Sequence, residues 1–179
     1  MMLTLTEEEM LTRWRLLTLL EPMAPAGAIA SREDYTPLRQ LCLLKMRAWY
    51  ERLLDAADPA LVPVTDIRGS CRLHLEGGQW LMELPEGTRR VLTVRLAGWS
   101  RPAVPVTADE ATECTNSYLT GSHGNPLVIR LSPTRLLIDG PVTDVTAATG
   151  EVMATTLPSD GSYILDEKAL GLITTADMP

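Results

Sequence analysis

Four arginines, Arg89, Arg90, Arg95 and Arg101, fall within thirteen residues of the stretch "ELPEGTRRVLTVRLAGWSRPA", residues 83–103. Guanidinium groups this dense could hold an anion, or meet the carboxylates of another chain through planar, multi-donor contacts. A phosphate cradle also needs closely spaced glycines and a following helix N-terminus, and this stretch has neither. Leu92, Val94 and Leu96 share one face of the strand it predicts, whereas Arg90 and Arg95 have opposite parity. One of the two must therefore point inward, or the strand must bulge. Two readings stay open: a face solvated or paired with acidic loops of the same chain, and a subunit interface. Under the second, Arg89, Arg90, Arg95, Arg101 and Trp99 are the candidate interface residues.

Catalytic chemistry finds little support. The chain has two histidines, His74 and His123. His123 sits in "TGSHGNP", residues 120–126, where it could serve as a base or ligand, but glycines and an asparagine in that pattern describe a long hairpin turn. His74 alternates with Arg72 and Glu76 on the polar side of a strand and reads as solvent-facing or interfacial. The three cysteines, Cys42, Cys71 and Cys114, are scattered. They form no metal-ligand spacing and suggest reduced thiols in an intracellular setting. No nucleotide-binding, metalloprotease or nucleophile-elbow motif is present. The expectation is a chain without enzymatic activity, cofactor or metal.

Charge narrows the partners. Sixteen Lys and Arg against 23 Asp and Glu give a net charge of −7. Duplex nucleic acid is held mainly by neutralising phosphates, so an acidic chain is a poor candidate for it. The start "MMLTLTEEEM" lacks the basic and apolar regions of a signal peptide, and no apolar run approaches a membrane span. A cytoplasmic protein is expected.

The elements that must position these residues are legible as a change of period. In "LTLTEEEMLTRWRLLTLLEP", Thr6 and Glu9 form a capping box, with Leu5 and Met10 spaced as a hydrophobic staple. Met10, Trp14 and Leu17 then recur at helical spacing, and Pro22 stops the helix. A second helix starts near Thr36–Pro37 and ends near Ala57. Its stripe is Leu38, Leu41, Cys42, Met46, Trp49, Leu53 and Ala56, and Arg47 and Glu51 are spaced to pair on its other side. After Pro59 the pattern alternates. Cys71, Leu73 and Leu75 oppose Arg72, His74 and Glu76, Gly77–Gly78 marks a hairpin turn, and "QWLMEL" returns. "RRVLTVRLAGW", "LVIRL", "RLLID" and "GEVMATTLPSDGSYIL" supply further extended segments, and "DEKALGLITTADMP" a short terminal helix. The predicted fold is α+β. A helical pair over residues 1–58 leads into a mainly antiparallel β domain over 59–179 with a short C-terminal helix.

The order of these features resembles the head-to-tail connector proteins of tailed bacteriophages, the adaptor, tail-tubular or ring proteins that stack beneath the portal. The resemblance runs over roughly residues 31–165. It rests on Leu84–Pro85, a strand ending in Trp99, "RPAVPV", "NSYLTGSHGNPLVIRL" with Asn116 and Pro126, and the strand pair containing "RLLID". It implies a structural subunit, phage- or prophage-encoded, that self-associates into a twelve-fold ring between portal and tail. DNA would pass through the ring without specific binding, a passage to which an acidic chain is suited. The helices would pack on the portal or a neighbouring subunit, and the arginines would meet acidic segments such as "ADEATE", residues 108–113, of an adjacent copy. The location implied is the host cytoplasm or the virion neck, with no membrane contact. The competing expectation is a cytoplasmic α+β domain that binds a small ligand or peptide.

Overall fold

The computed structural model describes residues 1–18, 35–111, 126–140, 142–143 and 150–173. Within these the chain is α+β, and its strands run in the order β1 (Met2–Leu5), β2 (Thr65–Asp66), β3 (Arg72–Glu76), β4 (Gln79–Glu83), β5 (Thr88–Leu96), β6 (Leu127–Ser132), β7 (Arg135–Asp139), β8 (Gly150–Thr156) and β9 (Tyr163–Asp166). Two long helices, α1 (Glu7–Leu17) and α2 (Tyr35–Ala56), precede β2, and a short 3-10 helix, Glu167–Leu172, follows β9. The chain divides into two compact units, Met1–Pro63 with Leu157–Pro179, and Val64–Thr156. No helix of the described residues is long and apolar enough to cross a membrane.

The first unit starts from the predicted cap. Thr6 is extended (φ −70°, ψ 165°), and its hydroxyl accepts from the Glu9 N–H at 3.3 Å. The Glu9 carboxylate returns to the Thr6 N–H at 2.8 Å. The cap thus satisfies two backbone donors that would otherwise be orphaned. Leu5 and Met10, the staple pair, are both buried in one core with Leu11, Trp14, Cys42, Met46, Trp49 and Leu53. On α2 the buried stripe adds Tyr50 and Leu54, while Leu38, Leu41 and Ala56, expected within it, are exposed. The stripe is turned because the unit's core also includes Tyr163 and Leu165 of β9. Arg47, expected beside Glu51, reaches Glu7 of α1, with Nε–Oε2 at 2.9 Å and Nη2–Oε2 at 2.5 Å. Arg39 pairs with Glu8 next to it.

Strand β1 lies directly before the cap and pairs antiparallel with β9, Leu5 opposite Tyr163 and Met2 opposite Asp166. Four residues next to a strong helix start carry no strand signal of their own, and their partner lies at the other end of the sequence. The change at Pro63–Val64 falls close to the expected boundary after residue 58. Residues 157–179, expected within the β domain, belong to the helical unit because β9 is held by β1. The last extended piece is accordingly two strands, β8 and β9. They are separated by a turn in which the Gly161 N–H reaches the Pro158 carbonyl at 3.2 Å.

The second unit holds two antiparallel sheets, ordered β2-β8-β5 and β3-β4-β7-β6. Their shared core is Ile67, Cys71, Met82, Val94, Leu96, Trp99, Val128, Leu136, Ile138, Val152 and Ala154, with Leu84 and Ala103. The β3–β4 hairpin turns on Gly77 (φ 59°) and Gly78 (φ 83°). Positive φ at both central residues is the turn geometry whose twist matches the flanking strands. Asp66 ties β2 to its neighbour: Oδ1 accepts from the Val152 N–H at 2.8 Å and from the Arg68 N–H at 3.0 Å. Arg68 itself is almost fully buried.

Candidate functional site: interaction surfaces on the two units

Strand β5 resolves the parity conflict among the arginines by bulging. Its register on β8 runs Thr88–Thr156, Arg90–Thr155, Val91–Ala154, Thr93–Met153, Val94–Val152, Arg95–Glu151 and Leu96–Gly150, so that the pairing skips Arg89 and Leu92. Each skip inserts one residue and reverses the alternation beyond it. Counted along β8, Arg90 and Arg95 are four positions apart, so they share a face. Val91, Val94 and Leu96 are placed toward the core instead. Leu92, expected beside Val94 and Leu96, is half-buried at the second bulge. The first bulge is pinned by Thr155, whose hydroxyl accepts from the Arg90 N–H at 3.2 Å and faces the Arg90 carbonyl at 3.4 Å.

The candidate residues therefore separate. Arg95 and Arg101 are exposed, and Arg89 and Arg90 are half-buried. Trp99 is 7% exposed and belongs to the core. Its ring lies where a Cβ on Gly140 would come within 3.4 Å of it, so it anchors the turn after β5 and leaves little surface for a neighbour. The fold adds one arginine that sequence reasoning missed. Arg130 of β6 donates through Nη2 to the Arg89 carbonyl at 3.4 Å. The basic surface is thus built from two segments forty-one positions apart. The alternation of "LVIRL" put Arg130 on a polar face, but nothing local said whose face it would join.

His74 lies on β3 with Nε2 at 3.7 Å from Glu76 Oε2. Glu76 also accepts from Arg135 Nη2 at 2.9 Å. In the acidic segment, Thr107 and Glu110 form a second capping box, with Thr107 N–H to Glu110 Oε2 at 2.8 Å. His123, Cys114, Asn116, Pro22 and residues 112–113 of "ADEATE" lie outside the described residues. Among the described residues no cluster of three His, Cys, Asp or Glu side chains could hold a metal ion.

The cysteine environments speak to reactivity. Cys42 and Cys71 are free and buried. The Cys71 thiol faces the Ile67 carbonyl at 3.3 Å, and burial pushes its pKa up to about 11. A thiol so protonated is a poor nucleophile.

The first unit carries two further surface features. Leu38, Leu41 and Leu44 recur every third residue on α2 and are 36%, 42% and 64% exposed. An open cleft of about 160 Å³ is lined by Arg47, Tyr50, Leu157, Pro158, Ser162 and Tyr163, among others. The Tyr50 and Tyr163 rings stand 4.9 Å apart at 59°, a tilted aromatic pair. Comparison with protein-family models, with curated proteins and with solved structures returns no match for this chain.

Proposed function

We propose that this chain is a non-enzymatic structural subunit of a tailed-phage neck, a head-to-tail connector that assembles with portal and tail proteins. The observation that carries this reading is the leucine row on α2. Leu41 and Leu44 lie outside the core of their own unit, and an apolar helix face of this kind is suited to docking on another protein. The arginines fit the same reading. Arg95 and Arg101 are exposed, and arginine is favoured at protein interfaces. The order of sequence features shared with connector proteins supplies the identity of the partners, and the acidic balance suits a wall past which DNA slides. The host cytoplasm and the virion neck are the corresponding locations.

The test is the mass of the assembly with and without a portal protein encoded beside the gene. A ring that forms with the portal, and is lost in Leu41→Asp/Leu44→Asp with the melting temperature unchanged, supports the reading. A chain that stays free of its cognate portal, from a locus without phage genes, overturns it. One observation favours the second reading, a cytoplasmic peptide-binding domain. The cleft beside Tyr50 and Tyr163 is about the size of a cavity that takes a benzene ring, hence of one partner side chain. Stabilisation by a peptide library, abolished by filling the cleft with Ser162→Trp, would favour that reading over the connector.

A further inference from the structure

The outer edge of β3 alternates charged and apolar residues in a self-complementary order. Among the described residues, strand β3 ends its sheet, paired with β4 alone. In a hairpin closed by a two-residue turn, the residues flanking the turn form a hydrogen-bonded pair, and the bonding then alternates along the strands. Glu76, opposite Gln79, is such a flanking residue, so His74 and Arg72 also direct their backbone groups to β4. Leu73 and Leu75 direct theirs outward. The edge thus offers two N–H and two C=O groups, spaced for one antiparallel strand.

The sequence of that edge is Arg72-Leu73-His74-Leu75-Glu76. Read against a reversed copy of itself, it sets opposite charges at its two ends and leucine against leucine between them, with each Glu76 shared between the partner's Arg72 and its own Arg135. Arg72 meets the partner's Glu76, Leu73 meets the partner's Leu75, and His74 meets the partner's His74 on the two-fold axis. In this register Leu73 and the partner's Leu75 fall at a hydrogen-bonded position, which is where their outward backbone groups require them. The backbone and the charges therefore select the same register. Among the described residues, Arg72 has no ion-pair partner within its own chain. Leu75 is 57% exposed, although Leu73 on the same face packs against the core. A second copy would bring Arg72 a further carboxylate besides Glu83, which lies opposite it on β4, and would cover Leu75.

We infer that two copies of this chain pair antiparallel through β3, joining their four-stranded sheets into one continuous sheet across a two-fold axis at His74. This stands independently of the connector reading. A two-fold contact closes on itself, whereas a ring needs a heterologous pair of patches.

Variants of the full chain test it by sedimentation and light scattering. The wild-type chain is expected at twice its 19.6 kDa mass. Arg72→Glu places like charges opposite each other at both ends of the pairing and should weaken dimerisation by about tenfold or more. The double swap Arg72→Glu/Glu76→Arg restores opposite charges in this register alone and should recover the affinity. Position 72 faces Glu83 across the hairpin and Glu76 accepts from Arg135, so the cost of each change to the monomer is read from the melting temperatures of Arg72→Glu, Glu76→Arg and the double variant. His74→Cys should form an intermolecular disulfide in air with a copper–phenanthroline catalyst, dissolved oxygen taking up the two electrons and two protons of the thiol pair. Its two Cα atoms would be about 4.5 Å apart at a non-hydrogen-bonded pair, within disulfide reach. Arg72→Cys should not, because its two copies lie four positions out of register, roughly 13 Å apart. A monomer at every concentration, an affinity that Arg72→Glu leaves unchanged, a double swap no tighter than the single variant, or crosslinking equal in the two cysteine variants overturns the proposal.

Discussion

The hydroxyl of Tyr50 serves both backbone groups of Ile164. It donates to the Ile164 carbonyl at 3.1 Å and accepts from the Ile164 N–H at 3.0 Å. Strand β9 belongs to a two-stranded sheet with β1 on one side, and one side chain of α2 satisfies the backbone on the other. Removing that oxygen in Tyr50→Phe leaves a donor and an acceptor unpaired while preserving the ring. The expected cost is about 1–3 kcal/mol, read as a lower urea midpoint for the first unit. A change within a few tenths would show that water takes over both bonds.

Gly150 opens β8 opposite Leu96 with φ +112°. A Cβ there would lie 2.6 Å from the Arg95 carbonyl oxygen and 3.2 Å from the Leu96 Cα. Both obstacles are backbone and cannot swing aside. Gly150→Ala is expected to cost at least about 1–3 kcal/mol. Gly161, with φ +73° and nothing within 4 Å of its Cβ position, provides the contrast. Gly161→Asn should be nearly neutral, because asparagine tolerates the left-handed region. Thermal melts of the two variants check the difference.

The Glu9 carboxyl is held below its ordinary range by the Thr6 backbone N–H, with further help from the Thr6 hydroxyl. A carboxyl whose folded pKa is lowered contributes stability above its unfolded value, and that contribution is lost as pH falls through the folded value. The capping contribution should therefore be complete above about pH 5 and fade below about pH 4, near the unfolded glutamate value. Glu9→Gln keeps the side-chain acceptor but removes the titration, so its stability should fall less over this range. Burial raises the Tyr50 phenol, which has the opposite sense: its contribution is full below about pH 10 and declines at higher pH. Melting temperature against pH, compared between wild type, Glu9→Gln and Tyr50→Phe, reads both limbs.

Cys42 and Cys71 should resist thiol reagents in the folded chain. Both are buried, and Cys71 is held protonated with a pKa pushed up to about 11. Peptide mapping after alkylation at about pH 8, near the ordinary thiol range, is expected to find both unmodified until denaturant unfolds their units. Rapid native-state labelling of Cys71 would mean that the Ile67–Cys71 region opens locally.

Much of this protein was readable residue by residue, where a signal and its structure lie within one turn of chain. The Thr6–Glu9 capping box, the Leu5–Met10 staple, the Gly77–Gly78 hairpin and the alternation of β3 and β4 are local in this sense. Their physics involves neighbours a few positions apart. The arginine segment was half legible. Composition and spacing required either an inward arginine or a bulge, and only the pairing of β5 with β8 decided for bulges at Arg89 and Leu92.

The remainder was set by partners distant in sequence. That β1 is a strand depends on β9, at the opposite end of the chain, because four residues acquire extended structure only when another strand takes up their hydrogen bonds. That Tyr50 rather than Leu41 faces inward follows from where α1 and β9 pack on α2, a choice that helical period alone leaves open over an arc of leucines. Trp99 is a core anchor because Gly140 leaves room for its ring, and Arg130 joins Arg89 because β5 and β6 come close in space. Sequence determined the period, the caps, the turns and the charge; tertiary structure decided which faces meet, since that depends on contacts whose free energy no local stretch contains.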